Sequence, residues 1–220
     1  MSFLNQLKSQ AQNLAVEQTK SSTDVQTNTK QTELACKTVW HYVSELCKTL
    51  NVIAPAGPEF ALDKNAVWPP MKLQAFRSDS RKKMLRDQEV VDSISLAWEI
   101  VPMVGKPGTG VVEVDFVPAL ERVEKNLHSG GVKFERKDVV QPDKKPRRVI
   151  RFEYVTQARG YVTITPDHDN AQIAFRLANA MGFGVKNVTW PVDRMQTEFL
   201  DELAKLIVAQ PSRFVPVVLE

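Results

Sequence analysis

Cys36, Val39, Val43, Leu46, Leu50 and Ile53 recur at spacings of 3, 4, 3, 4 and 3 residues. An α-helix turns once in ~3.6 residues, so this spacing keeps a narrow apolar stripe on one face. A strand cannot use it, because successive strand side chains point to opposite sides. The stripe therefore demands a helix over residues 28–55 and a surface to cover it, from this chain or another. Trp40 and Cys47 widen the stripe on one flank, and Pro55 with Gly57-Pro58 ends it. Cys36 and Cys47 would lie ~16 Å apart along such a helix, beyond the ~7 Å that a disulfide spans. They read as small buried apolar residues.

Leu4, Leu7, Ala11 and Leu14 repeat the 3, 4, 3 spacing nearer the N-terminus, while residues 20–30 are mostly Ser, Thr, Gln and Asn. This predicts two helices joined by a polar linker, with the option of a coiled-coil hairpin, so that residues 1–55 form a helical N-terminal region. Residues 56–70 follow as a proline-rich connection closed by Trp68-Pro69-Pro70.

From Met71 the apolar period changes to two, as in Ser93-Ile94-Ser95-Leu96 and Ile150-Arg151-Phe152-Glu153-Tyr154. Such alternation predicts strands with one packed face. The spans are near 71–78, 90–101, 111–117, 131–140, 147–156, 160–166, 171–179 and 184–190. Their short connections require antiparallel neighbours. A helix is expected over Pro118–His128, ended by Ser129-Gly130-Gly131. A last helix carries Phe199, Leu203 and Leu206, with Asp193 and Gln196 as a capping box. The expected fold class is α+β. A meandering antiparallel sheet packs against a C-terminal helix over 71–220, preceded by N-terminal helices.

With 220 residues, 43% hydrophobic and 25% charged, the chain can bury an ordinary core. Its net charge of +3 is too small to announce a nucleic-acid or membrane partner. No apolar run reaches the ~18 residues of a membrane span, and Met-Ser-Phe-Leu-Asn-Gln lacks the pattern of a secretion signal. A cytoplasmic location without a membrane span is the resulting expectation.

Chemistry-bearing clusters are sparse. Pro166-Asp167-His168-Asp169-Asn170 offers two carboxylates and an imidazole, but Asp, Asn and Pro also build turns. Gly105-Lys106-Pro107-Gly108-Thr109-Gly110 has its lysine too early for a phosphate loop and reads as a hairpin loop. Glu113 and Asp115 share a strand face and read as solvated. No metal-ligand spacing appears and no cofactor is expected. Residues 131–160 hold nine bases against four acids, and Lys144, Lys145, Arg147 and Arg148 crowd one hairpin. Arg81, Lys82 and Lys83 crowd another. Both clusters are candidate anion sites.

The leading expectation is a non-catalytic cytoplasmic binding or adaptor protein. It would act through its sheet surface and an interaction helix over residues 34–53 (Val39, Trp40, Val43, Leu46, Leu50), meeting a protein partner or a second copy. One alternative is a protein with a small-molecule or lipid cavity between sheet and C-terminal helix. The other is nucleic-acid binding through the basic hairpin tips.

Overall fold

The computed structural model describes the backbone of residues 3–64, 66–141 and 147–216, with side chains from Thr23 onward except over 65 and 140–148. The N-terminal region is a single helix, α1 (Phe3–Ile53, 51 residues), so the expected linker at 20–30 does not exist. That stretch contains neither Gly nor Pro. Its threonines turn their hydroxyls back into the helix: Thr27 bonds the Thr23 carbonyl (2.9 Å), Thr29 that of Val25 (2.8 Å) and Thr32 that of Asn28 (2.8 Å). Polarity without a breaker leaves a helix intact.

Among the described residues eight antiparallel strands follow, interrupted by one α-helix and succeeded by another. They are β1 (Met71–Leu85), β2 (Gln88–Pro102), β3 (Thr109–Val114), β4 (Phe134–Gln141), β5 (Arg147–Val155), β6 (Ala158–Asp167), β7 (Gln172–Ala178) and β8 (Val185–Pro191). The helices are α2 (Val117–Ser129), between β3 and β4, and α3 (Thr197–Ile207) at the C-terminal end. The strands form two sheets, β1-β2-β6-β7-β8 and β3-β5-β4. The fold class is thus α+β as expected, with the sheet divided. The glycine-containing segment 103–108 is not a hairpin loop, because it carries the chain from β2 in one sheet to β3 in the other. The expected capping box at α3 is also absent: Gln196 stands at the N-cap without a capping bond, its side-chain amide donating to the Asp193 carbonyl (3.4 Å) instead.

The seam of α1 packs on its own chain. Cys36, Val39, Val43, Cys47 and Leu50 are all buried in one core with Leu73, Phe76, Ile94 and Leu96 of the β1–β2 hairpin. Burial pushes the Cys36 thiol up to about 12, so it is an inert filler. Residues 55–70 are also part of this core. Ala56 bridges Lys72, Ala61 bridges Val67, and Phe60, Leu62 and Trp68 are buried.

Two polar side chains of α1 hold it in register on the hairpin. Asn51 donates to the Phe76 carbonyl (2.9 Å) and accepts the Phe76 amide (2.7 Å). Phe76 lies in a β-bulge where pairing jumps between Gln74 and Arg77, with Ala75 at φ 53°. Glu33 accepts the amide of Val91 (2.9 Å), beside the second irregularity, opposite Arg81 and Lys82. The Glu33 carboxylate also meets Nε2 of the buried His168 (2.9 Å). At the hairpin tip, Arg86 and Asp87 both adopt positive φ, 49° and 61°, the geometry of a two-residue turn that prefers Asn-Gly. Arg86 is held there by Thr29 and Asp169.

Two strand glycines make room for aromatic rings. Gly160 faces Trp98 and Gly110 faces Tyr154 in register. A Cβ would come within 2.2 Å and 2.5 Å of those rings, so neither position accepts a side chain without moving the indole or phenol.

Two stability changes follow. Asn51→Ala strands both backbone groups of Phe76 and should cost ~1–3 kcal/mol, read as a lower denaturant midpoint at unchanged slope. Asp87→Gly removes left-handed strain without removing a described contact. It should add about 0.5–1 kcal/mol, raising Tm by ~2–4 °C per kcal/mol for a chain of this size.

Candidate functional site

Of the two basic runs singled out in the sequence, Arg81, Lys82 and Lys83 are paired with acids. On the β1–β2 hairpin, Lys82 meets Glu89 (2.6 Å), Lys83 meets Asp92 (3.1 Å) and Arg81 lies 3.6 Å from Asp79. Four bases and four acids occupy 79–92, so this tip has no net charge. On the second sheet Arg136 meets Glu124 (2.5 Å), Lys137 meets Glu153 (2.8 Å), and Arg151 lies between Glu153 (3.2 Å) and Glu113 (3.8 Å). Lys144 and Lys145 lie outside the described residues. Arg147 and Arg148 open β5, and their side chains lie outside the described set. The two runs are on different sheets. β5 starts, at Arg147, at its end away from β6, and the β1–β2 tip lies beside the far end of β6. Arg81, Lys82 and Lys83 fall on the edge strand β1, where charged side chains block the addition of a further strand, whereas Arg147 and Arg148 open β5, the middle strand of its sheet.

Of the five interaction-helix residues, Val39, Val43 and Leu50 are buried in the chain's own core and Leu46 is partly buried against it. Trp40 alone is exposed, at 37%. It borders a groove of about 540 Å³ with Glu33, Lys37, Ser80, Lys82 and Glu89. The face of α3 is filled rather than hollow. Leu200, Leu203, Leu206 and Ile207 are buried there, and Phe214 stands edge-on to Phe175 at 5.0 Å. The Asp167-His168-Asp169 cluster disperses to three partners: Asn170 (2.8 Å), Glu33 (2.9 Å) and Arg86.

A cleft missed by sequence reading lies between α2 and the β7–β8 loop, with a volume of about 600 Å³. Pro118 starts α2, where its missing amide costs nothing. Val123 and Leu127 bury one face of α2, leaving Glu121, Arg122 and Lys125 on the outside. Arg122 and Lys125 are three residues apart, so their side chains emerge from the same side. The opposite wall is Leu177, Ala180, Met181, Gly182, Phe183, Gly184, Val185 and Lys186.

The loop wall is built around Asn179, which is 1% exposed with φ 57°. Its side-chain amide donates to the carbonyls of Ser129 (2.9 Å) and Arg159 (2.7 Å) and accepts the Gly184 amide (3.1 Å). One side chain thus ties the loop to the end of α2 and the start of β6. Asparagine tolerates left-handed backbone, which was the available sequence signal. Gly182 (φ 97°) and Gly184 (φ 131°) flank Phe183. The cleft is lined by three bases, Arg122, Lys125 and Lys186, and one acid, Glu121. None of the three bases has an ion-pair partner among the described residues. Chemically the cleft can attract an anion at its rim and an apolar group at Leu177, Met181 and Phe183.

Asn179→Ala removes three hydrogen bonds and puts an alanine at positive φ. It should cost at least ~1–3 kcal/mol and speed hydrogen exchange at the Gly184 amide; Asn179→Gly, which accepts the backbone angle, should cost less. Comparison with known proteins adds nothing to this geometry, since no family model, curated protein or solved structure matches the chain.

Proposed function

We propose that this protein is a binding protein that holds a small anionic molecule in the cleft between α2 and the β7–β8 loop. The observation that carries this reading is the contrast in charge pairing. Arg81, Lys82, Lys83, Arg136 and Lys137 each lie beside a carboxylate, whereas Arg122, Lys125 and Lys186 line a concave surface without an ion-pair partner among the described residues. Unpaired cations on a concave, partly apolar wall raise the local concentration of anions. A nucleic-acid reading has less support at the β1–β2 tip, because Arg81, Lys82, Lys83 and Arg86 each lie beside a carboxylate.

A protein-binding role for α1 rests on a different observation. From Thr29, beside Arg86, to Asn51, beside Phe76, α1 climbs ~33 Å, matching the ~33 Å that β1 covers between the same contacts. Residues 3–28 then continue ~39 Å past the hairpin tip, a length of helix available to a protein partner or a second copy. Deleting residues 1–27 should leave the fold intact and convert any wild-type oligomer to monomer by light scattering. An oligomer unaffected by the deletion rules out this role.

The cleft is tested by calorimetric titration of the full chain with hexyl phosphate. Affinity should fall as sodium chloride rises. Charge reversal by Arg122→Glu with Lys125→Glu should weaken it more than tenfold, since each charge-assisted bond is worth ~1.5–3 kcal/mol. A wild type that binds neither inorganic phosphate, nor alkyl phosphate, nor alkyl carboxylate removes the reading.

A further inference from the structure

We infer that the anion held in the cleft is an amphiphile: a phosphate or carboxylate carrying an apolar tail that enters an aromatic box now plugged by Phe183. The inference rests on the cleft reading above and extends it to the class of ligand.

The box lies directly behind the cleft wall. Phe183 stands edge-on to Phe60 (5.0 Å, 78°) and to Trp68 (5.0 Å, 86°). Trp68 in turn stacks on Tyr154 (5.8 Å, 10°). Phe60, Trp68 and Tyr154 are 0%, 4% and 5% exposed, while Phe183 is only partly buried and lines the cleft. The Phe183 ring therefore separates the cleft from three buried rings, filling the space that a tail would take.

The backbone around Phe183 suits a movable plug. Gly182 and Gly184 flank it at φ 97° and 131°, conformations that glycine leaves and regains with little steric cost. A Cβ on Gly184 would meet nothing within 4 Å, so the loop has open space on that side. Asn179 keeps the base of the loop fixed through Ser129 and Arg159. Gly184 is tied to Asn179 through both its backbone groups, which leaves Ala180–Phe183 as the span free of these ties.

The Trp68 indole N–H is buried with the Tyr154 hydroxyl as its polar neighbour, so the box presents apolar ring faces to a tail. The mouth is bordered by Met181 (48% exposed) and Val185 (38% exposed), apolar side chains placed to receive the tail. Arg122, Lys125 and Lys186 hold the head.

The test is calorimetric titration with inorganic phosphate, then butyl, hexyl and octyl phosphate below their micelle concentrations, with octanoate as the carboxylate arm. Wild-type affinity should rise roughly threefold to fourfold per added methylene, and tryptophan emission should shift with octyl phosphate but not with inorganic phosphate. Phe183→Ala should strengthen octyl phosphate binding several-fold relative to inorganic phosphate binding by the same variant. Phe183→Leu should act in the same direction with less disturbance, and circular dichroism melts confirm that both variants fold. Equal wild-type affinity for inorganic and octyl phosphate overturns the inference and leaves the anion cleft standing. Weaker octyl phosphate binding in both folded Phe183 variants also overturns it, because the ring would then be wall and not plug. Absence of binding to every anion overturns the cleft and the inference together.

Discussion

The match between α1 and the two irregularities of the β1–β2 hairpin decides where everything else sits. Bulges free backbone groups that a regular ladder would pair, and a buried unpaired group is costly. Asn51 satisfies both groups of Phe76, and Glu33 satisfies the Val91 amide. The two residues are eighteen positions apart, about five full helical turns, so they project from the same line of α1. A one-residue slip of the helix would rotate both away by ~100° and turn the Val39–Val43 stripe off the sheet. The polar pair and the apolar seam therefore specify the same register. Consistency between levels of this kind is what gives a sequence one structure.

The same arrangement explains which sequence signals were legible. Alternation of apolar and polar residues located strands such as β2, β6 and β7, whose alternate side chains are buried, whereas β4 shows no such alternation. Their ends were less legible: β1 runs seven residues beyond the expected Ser78, through Arg81-Lys82-Lys83, where both faces are exposed and alternation carries no information. The heptad seam correctly announced a long helix that must be covered. It could not say by what, since an apolar stripe has the same spacing whether a sheet or a second helix meets it. The false linker at 20–30 came from treating polarity as a break. Thr27, Thr29 and Thr32 show that hydroxyls can be satisfied inside a helix, whereas only Gly or Pro would have interrupted it.

Charge density misled in a related way. A run such as Arg81-Lys82-Lys83 looks like a binding patch because its acids, Asp79, Glu89 and Asp92, are distributed along and across a hairpin. Folding brings them together, and exposed pairs of this kind add little stability, of order 0–1 kcal/mol each. Their placement on β1 and β4 has a different physical use, since these are outer strands whose free backbone groups would otherwise accept a further strand. The informative cations are the isolated ones. Arg122 and Lys125 lie on α2 and Lys186 on β8, more than fifty residues away in sequence, and only the chain's return through β7 brings them to one cleft.

The cleft is one of the places where the fold departs from local rules: Asn179 is buried at positive φ, and two glycines at positive φ flank a partly buried phenylalanine. Regular elements hold one wall: α2 is anchored by Val123 and Leu127, so Arg122 and Lys125 keep fixed positions. The other wall is a four-residue span, Ala180 to Phe183, closed by reciprocal backbone and side-chain bonds between Asn179 and Gly184. A rigid cationic wall facing a hinged apolar one can set the position of a charged head while adapting to the length of a tail. Natural sequences violate local preferences mainly where another constraint outweighs them. At the α1–hairpin interface the departures, positive φ at Ala75, Arg86 and Asp87 and two register shifts, are matched by bonds from Asn51, Glu33 and Thr29; at the cleft the bonds of Asn179 do the same for the loop.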